Sequence, residues 1–214
     1  MLNKNKIVEV LELLEKKYVN AVAALDYTTP FELLIATILS AQCTDIRVNK
    51  VTAELYKTSN TPEAIVTLGQ KKLQEKIKTC GLANTKSKNI ISTCSILIEE
   101  YNSQVPDTIE ELIRLPGVGR KTANVVVSNA FGKSAIAVDT HVFRVSNRIG
   151  LAESKDVLHT ERDLMNNIPE EKWSPAHHWL IYHGRQVCKA RNPLCRECLL
   201  SELCLYKVER RDVN

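Results

Sequence analysis

An all-α fold is predicted by three features of this sequence. Helix-start signals recur along its length, the apolar residues between them space at three and four, and no segment alternates long enough to make a strand. Roughly ten helices are expected. The first is MLNKNKIVEVLELLEKKY, where Ile7, Val10, Leu11 and Leu14 form the stripe of an amphipathic helix docked on a core. Thr29-Pro30-Phe31-Glu32 then combines an N-cap threonine, a proline at N1 and a glutamate at the capping-box position. Thr61-Pro62-Glu63 repeats the threonine–proline opening, and Asp107-Thr108-Ile109-Glu110 offers a cap with a glutamate three residues on. Ile90, Cys94, Leu97 and Ile98 mark another apolar stripe. Val125-Val126-Val127 falls inside a longer helical pattern, and Ala135 to Val138 is too short to anchor a sheet.

Composition bounds the function less sharply. The 214 residues can bury a substantial core, and the values of 25% charged and 44% hydrophobic are ordinary for a globular protein. A net charge of +4 does not by itself establish a nucleic-acid partner. The distribution says more. Lys71, Lys72, Lys76, Lys78, Lys86 and Lys88 lie close together, and Arg185, Lys189, Arg191 and Arg196 form a second group with no acidic residue among them. Such clusters suit a polyanion, although a solvated helix face is the commoner reason for a lysine run. FELLIATILSA is too short to span a bilayer and carries Glu32, and the N-terminus lacks a signal h-region, so a cytoplasmic protein with no membrane partner is expected.

Four of the seven cysteines, Cys188, Cys195, Cys198 and Cys204, fall in C-x6-C-x2-C-x5-C. Thiols this dense in a cytosolic chain point to metal ligation rather than disulfides. Structural zinc sites usually bring two close pairs together, whereas one close pair flanked by single cysteines suits the corners of a cubane. The spacing favours iron–sulfur and leaves zinc open. Cys43, Cys80 and Cys94 are scattered and read as small buried residues. His177, His178 and His183 are given no ligand role; His183-Gly184 reads as a helix C-terminus with glycine at C′.

LPGVGRKTANVVV, from residue 115, carries the most chemistry. It is not a nucleotide-binding P-loop, because one residue rather than four separates Gly117 from Gly119 and Arg120 intervenes before Lys121. A helix ending near Leu115, a hairpin through Pro116 to Gly119 and a new helix from Arg120 fit better. Successive backbone N–H groups at such a turn, with the positive end of the next helix, make an anion site. Glycines let a nucleic-acid phosphate approach the main chain, and that contact carries no base information. Gly117, Gly119 and Arg120 are therefore expected to contact a nucleic-acid backbone. CGLANTKSKNI faintly echoes the same glycine-turn, basic-residue, apolar-helix order, as if two such units shared one surface.

LPGVGRKTA resembles the helix–hairpin–helix of the endonuclease III family of DNA glycosylases, and VDTH resembles the family's next motif, which holds the active-site aspartate. The four-cysteine spacing matches that family's C-terminal [4Fe–4S] loop, and SAQCTD and CGLANTKSKNI are similar to further family segments. The likeness runs over nearly the whole chain. It implies two helical lobes with DNA in the cleft between them: residues 22–133 with the hairpin, and 1–21 plus 134–214 with the cluster loop at 188–204. It also implies a monomer that acts on double-stranded DNA containing damaged bases or abasic sites.

By the same resemblance the activity is base excision of oxidised pyrimidines, followed by strand cleavage 3′ to the abasic site. Lys121 would attack the sugar C1′ and form a Schiff base, and Asp139 would stabilise charge on the sugar or accept the lysine's proton. Asp139 could equally N-cap a helix towards Ile149, which is compatible with that role. Gln42 and Leu82 would fill the hole left by the flipped base, one by hydrogen bonding the orphaned partner and the other as an apolar wedge. Cys188, Cys195, Cys198 and Cys204 would hold the cluster, and Arg191 and Arg196 would contact phosphates from its loop. Two alternatives remain: a monofunctional glycosylase for mismatched or alkylated bases, which generally lacks a lysine at this position, and a non-catalytic DNA-binding module.

Overall fold

The computed structural model describes residues 1–206; residues 207–214, which the second expected lobe includes, lie outside the described residues. The described chain is all helical. In order it forms α1 (Lys4–Lys17), α2 (Pro30–Ser40), α3 (Asp45–Leu55), α4 (Pro62–Leu68), α5 (Gln70–Ile77) and α6 (Ala83–Tyr101). These are followed by α7 (Ile109–Leu112), α8 (Arg120–Phe131), α9 (Thr140–Ile149), α10 (Val157–Asn167) and α11 (Trp173–Gln186), with short 3-10 turns at Lys78–Cys80, Glu170–Lys172 and Cys195–Glu197. No helix among the described residues is long and apolar enough to cross a membrane.

The start signals work as the sequence predicts. Thr29 and Thr61 accept hydrogen bonds from the amides of Glu32 and Ala64, each with proline in the first turn. Glu32 completes its capping box one residue early: its carboxylate accepts from the Thr28 amide and hydroxyl, both at 2.7 Å. At the third site the cap is Thr108 rather than Asp107. Thr108 Oγ1 accepts from the Glu111 amide and donates to the Glu111 carboxylate at 2.6 Å, a capping box shifted one residue along.

The chain divides into two compact units, one of Ala23–Lys133 and one of Met1–Val22 with the chain from Ser134 onward. In the first, α4 and α5 pack on α6, and α8 packs on α2. Its core includes Leu33, Leu34, Ile35 and Leu39 from α2, with Ile90 and Leu97 from α6. In the second, the expected stripe of α1 is buried against α9 and α11, with Val142, Val145, Trp179 and Leu180 beside it. Ala135 to Val138 form an extended, buried, non-helical approach to α9.

One expectation about α11 fails. The helix does not stop at His183-Gly184 but runs on to Gln186, and Gly184 lies inside it. Packing is the reason: a Cβ at Gly184 would come within 3.0 Å of the Val145 side chain and 3.1 Å of those of Arg144 and His141. Glycine is there so that α9 and α11 can approach closely. His183 is buried and held by the Tyr18 hydroxyl at its Nδ1, 3.0 Å away. Burial pushes its pKa down to about 4.

Candidate active site

The glycine hairpin is built largely from backbone. The regular turn of α7 ends at Leu112, short of the expected Leu115, and tight turns carry the chain on: the Leu115 amide donates to Leu112 and the Val118 amide to Leu115, each at 3.1 Å. Leu115 and Val118 are buried, which pins the hairpin from beneath. Gly117 has φ of +80°, a left-handed conformation, and a Cβ there would lie 2.9 Å from Asn89 Nδ2. Thr93 Oγ1 donates to the Pro116 carbonyl at 2.9 Å. Asn89 and Thr93, both on α6, therefore seat the turn. Gly119 is the N-cap of α8 and supplies no side-chain acceptor, so its first-turn amides are not capped by a side chain. Gly117, Gly119, Arg120 and Lys121 are all exposed.

Asp139 occupies the corresponding place at the head of α9. Its Oδ1 accepts from both the His141 and Val142 amides at 2.8 Å, so it caps the helix as the sequence allowed. Those bonds leave Oδ2 without a hydrogen bond among the described residues. The buried strap before it is held by His177, whose Nδ1 lies 2.6 Å from the Ala137 carbonyl. Burial lowers the His141 pKa, against the opposing pull of Asp139.

Gln42 and Leu82 share a conformation that the sequence does not advertise. Both are exposed and both have positive φ, +54° and +49°. Gln42 follows the end of α2, and Leu82 is the N-cap of α6. The glycine echo holds at the level of the turn, since Gly81 and Gly117 both have positive φ. It fails for the next residue: Val118 is 6% exposed and Leu82 is 56% exposed. Lys86 departs from expectation too. It is not part of a surface cluster with its neighbouring lysines but is 4% exposed, its amine donating to the Leu39 carbonyl at 2.8 Å and the Cys80 carbonyl at 2.7 Å.

The four C-terminal cysteines are all partly buried on one short loop. None of the seven cysteines in the chain is in a disulfide. Burial raises the pKa values of Cys198 and Cys204, and Cys188 and Cys195 act on both in the same direction, which places the four thiols within electrostatic reach of one another. No three His, Cys, Asp or Glu side chains among the described residues surround a single ion position. Two arginines of α9 hold the loop. Arg144 donates to the Cys188 carbonyl at 3.1 Å, and Arg148 to the carbonyls of Lys189 and Ala190 at 2.7 and 3.1 Å. Arg148 Nη1 also lies 3.7 Å from Cys188 Sγ, and His183 Nε2 lies 3.6 Å from Cys198 Sγ. Arg191 and Arg196 are exposed on this loop.

Residues 35–170 match the family model for HhH-GPD superfamily base excision DNA repair proteins. Endonuclease III of Haemophilus influenzae is 52% identical over 96% of this chain and 98% of its own length. That of Escherichia coli K12 is 50% identical over 99% of this chain and 100% of its own. The chain belongs to the endonuclease III family. Among solved structures, a trapped endonuclease III–DNA covalent intermediate, in its estranged-adenine complex, superposes with a TM-score of 0.91 at 48% identity. It covers 96% of this chain and 97% of that one.

In this endonuclease III family member, the residues that hold the site are less legible in the sequence than those that form it. Lys86, Asn89 and Thr93 recur at i, i+3 and i+7 on α6, and Arg144 and Arg148 at i and i+4 on α9. Helical phase was the available signal: stepping four residues back from Ile90 lands on Lys86. The two hairpin glycines should behave differently. Gly117→Ala meets both a left-handed backbone and Asn89, and is expected to cost about 1–2 kcal/mol or more of unfolding free energy. Gly119 has φ of −90° and nothing within 4 Å of its Cβ position. Gly119→Ala is expected to stay within about 0.5 kcal/mol of wild type in urea titrations.

Proposed function

We propose that this protein is a bifunctional base-excision enzyme that removes oxidised pyrimidines from duplex DNA and then cuts 3′ to the abasic site through a Schiff base on Lys121. One observation carries the reading: an exposed lysine stands at the second position of α8, directly beyond a glycine hairpin whose amides have no side-chain cap. In a chain of this family that arrangement holds a DNA phosphate by backbone and leaves the amine free for the sugar. The full-length likeness to an endonuclease III caught covalently on DNA supports the covalent route.

In that route the neutral Lys121 Nζ attacks C1′, and the glycosidic bond breaks with its electron pair leaving on the base, which takes up a proton. The nitrogen lone pair then forms the C1′=N bond as C1′–O4′ breaks and O4′ takes up a proton; this ring-opened Schiff base loses a proton from C2′, the C3′–O bond breaks with its electrons leaving on the 3′ phosphate, and water releases the lysine. Asp139 stabilises positive charge developing on the sugar or accepts the proton that Lys121 must lose. Its Oδ1 is committed to the α9 amides, so Oδ2 is the atom for this task. Gln42 and Leu82 enter the space vacated by the flipped base.

Cys188, Cys195, Cys198 and Cys204 would hold a [4Fe–4S] cluster. The four cysteines share one short loop, in a spacing of one close pair flanked by single cysteines that suits the corners of a cubane, and none of them is in a disulfide. With all four cysteines as ligands, such a cluster would serve as a rigid frame for its loop rather than in bond cleavage. Arg191 and Arg196 on that loop contact phosphates.

Borohydride reduction with an abasic-site duplex is expected to trap wild-type protein covalently and to leave Lys121→Ala untrapped; a wild type never trapped on any damaged duplex would end the lyase reading. Asp139→Asn separates capping from chemistry, since asparagine caps as well as aspartate. It should unfold within about 0.5 kcal/mol of wild type yet cleave about 10²- to 10⁴-fold more slowly in single-turnover assays. Anaerobically purified protein should show broad visible charge-transfer absorption and about four irons per chain, rather than colourless protein with one zinc.

A further inference from the structure

We propose that Lys86 is a positioning residue that locks the Gln42 and Leu82 turns into a single geometry for entry into the duplex; this rests on the glycosylase reading above. Its amine bonds one carbonyl ahead of each turn, that of Leu39 in the last turn of α2, three residues before Gln42, and that of Cys80, two residues before Leu82. Its own amide donates to the Leu82 carbonyl at 2.9 Å, so the same residue grips the second turn from both sides.

Both turns need such a grip. A non-glycine residue in the left-handed region is strained and persists only where its surroundings over-determine it. Gln42 and Leu82 are exposed, so their own side chains do not pack to hold that conformation. In the sister turn, Gly117-Val118, the residue after the glycine is buried and secures itself. Where Leu82 projects outward instead, fixation has to come from below.

Lys86 is not what core stability alone would select. It falls in phase with the buried stripe Ile90, Thr93, Cys94 and Leu97, where an apolar side chain would pack without desolvating a charge. No carboxylate pairs with it among the described residues. Its acceptors are two carbonyls, one of them in the last turn of α2, where the helix dipole favours a cation. Burial lowers its pKa, while the nearby Cys43 and Cys80 thiols work in the opposite direction. A buried amine with two backbone acceptors on different segments is a geometric device: it makes two separate turns move as one.

Lys86→Met keeps the stem and removes the donor. Two substrates separate its effects: a duplex with a paired oxidised pyrimidine, whose base must be flipped, and an abasic duplex, whose base is already gone. Single-turnover base release by Lys86→Met is expected to fall about tenfold or more, with borohydride trapping on the abasic duplex within about twofold of wild type. In the Gln42→Ala/Leu82→Ala background the same substitution should cost less than about twofold, because it acts through those residues. Equal losses on both substrates, full additivity with the double variant, or an unchanged rate of base release would each overturn the proposal. If Lys86→Met does not fold, Lys86→Arg takes its place in the cycle; it keeps the charge and donors but displaces them, and the same pattern is expected. A wild type that neither releases base nor is trapped would instead defeat the underlying functional reading.

Discussion

A polar line along one face of α6 is the feature on which the hairpin-bearing unit depends. Lys86, Asn89 and Thr93 stand at i, i+3 and i+7, on one side of a helix that also buries Ile90, Cys94 and Leu97. Lys86 takes the carbonyls before the Gln42 and Leu82 turns, Asn89 packs beneath Gly117, and Thr93 donates to the Pro116 carbonyl. Three turns distant in sequence are thereby referred to a single rigid element. Because each contact is made to backbone, the side chains at the tips of the turns stay free to face a ligand.

Helix ends divide along the same line. A side chain closes the N-terminus of several helices: Asn3 on α1, Thr29 on α2, Thr44 on α3, Thr61 on α4, Thr108 on α7 and Asp156 on α10. α6 and α8, which begin at proposed DNA contacts, do not, and neither do α5 and α11. Leu82 and Gly119 occupy the N-cap positions of α6 and α8 and supply no acceptor. A capped N-terminus has spent its first amides, whereas an open one presents them, with the positive end of the dipole, to an anion. Asp139 stands between these cases, because one carboxylate oxygen caps α9 and the other remains.

What could be read from the sequence follows from whether the signal is local. Threonine–proline caps, the α1 stripe and the helix start after Gly119 depend on neighbours in the chain, and the structure has all of them. The shift from Asp107 to Thr108 shows the limit of that reading, since adjacent capping residues compete and it is Thr108 that pairs with Glu111. Gly184 was misread because glycine serves both as a helix stop and as a close-packing residue, and only the presence of α9 distinguishes the two. The positive φ values of Gln42 and Leu82 were invisible for the same reason: nothing in either residue type favours that conformation, and a buried amine far from Gln42 in sequence holds it.

Lys86 shows why charge clusters mislead when read without phase. Five of its lysine neighbours, Lys71, Lys72, Lys76, Lys78 and Lys88, are exposed, so composition groups all six together. Counting back along α6 separates them, because 86 lies in register with 90, 94 and 97 while 88 lies on the other side of the helix. A charge in register with a core has two explanations: it is a destabilising accident, or it has partners that an apolar residue could not satisfy. The carbonyls of Leu39 and Cys80 are such partners. They would be left without that donor if the amine were lost, so the core here tolerates a charge because two turns require its hydrogen bonds.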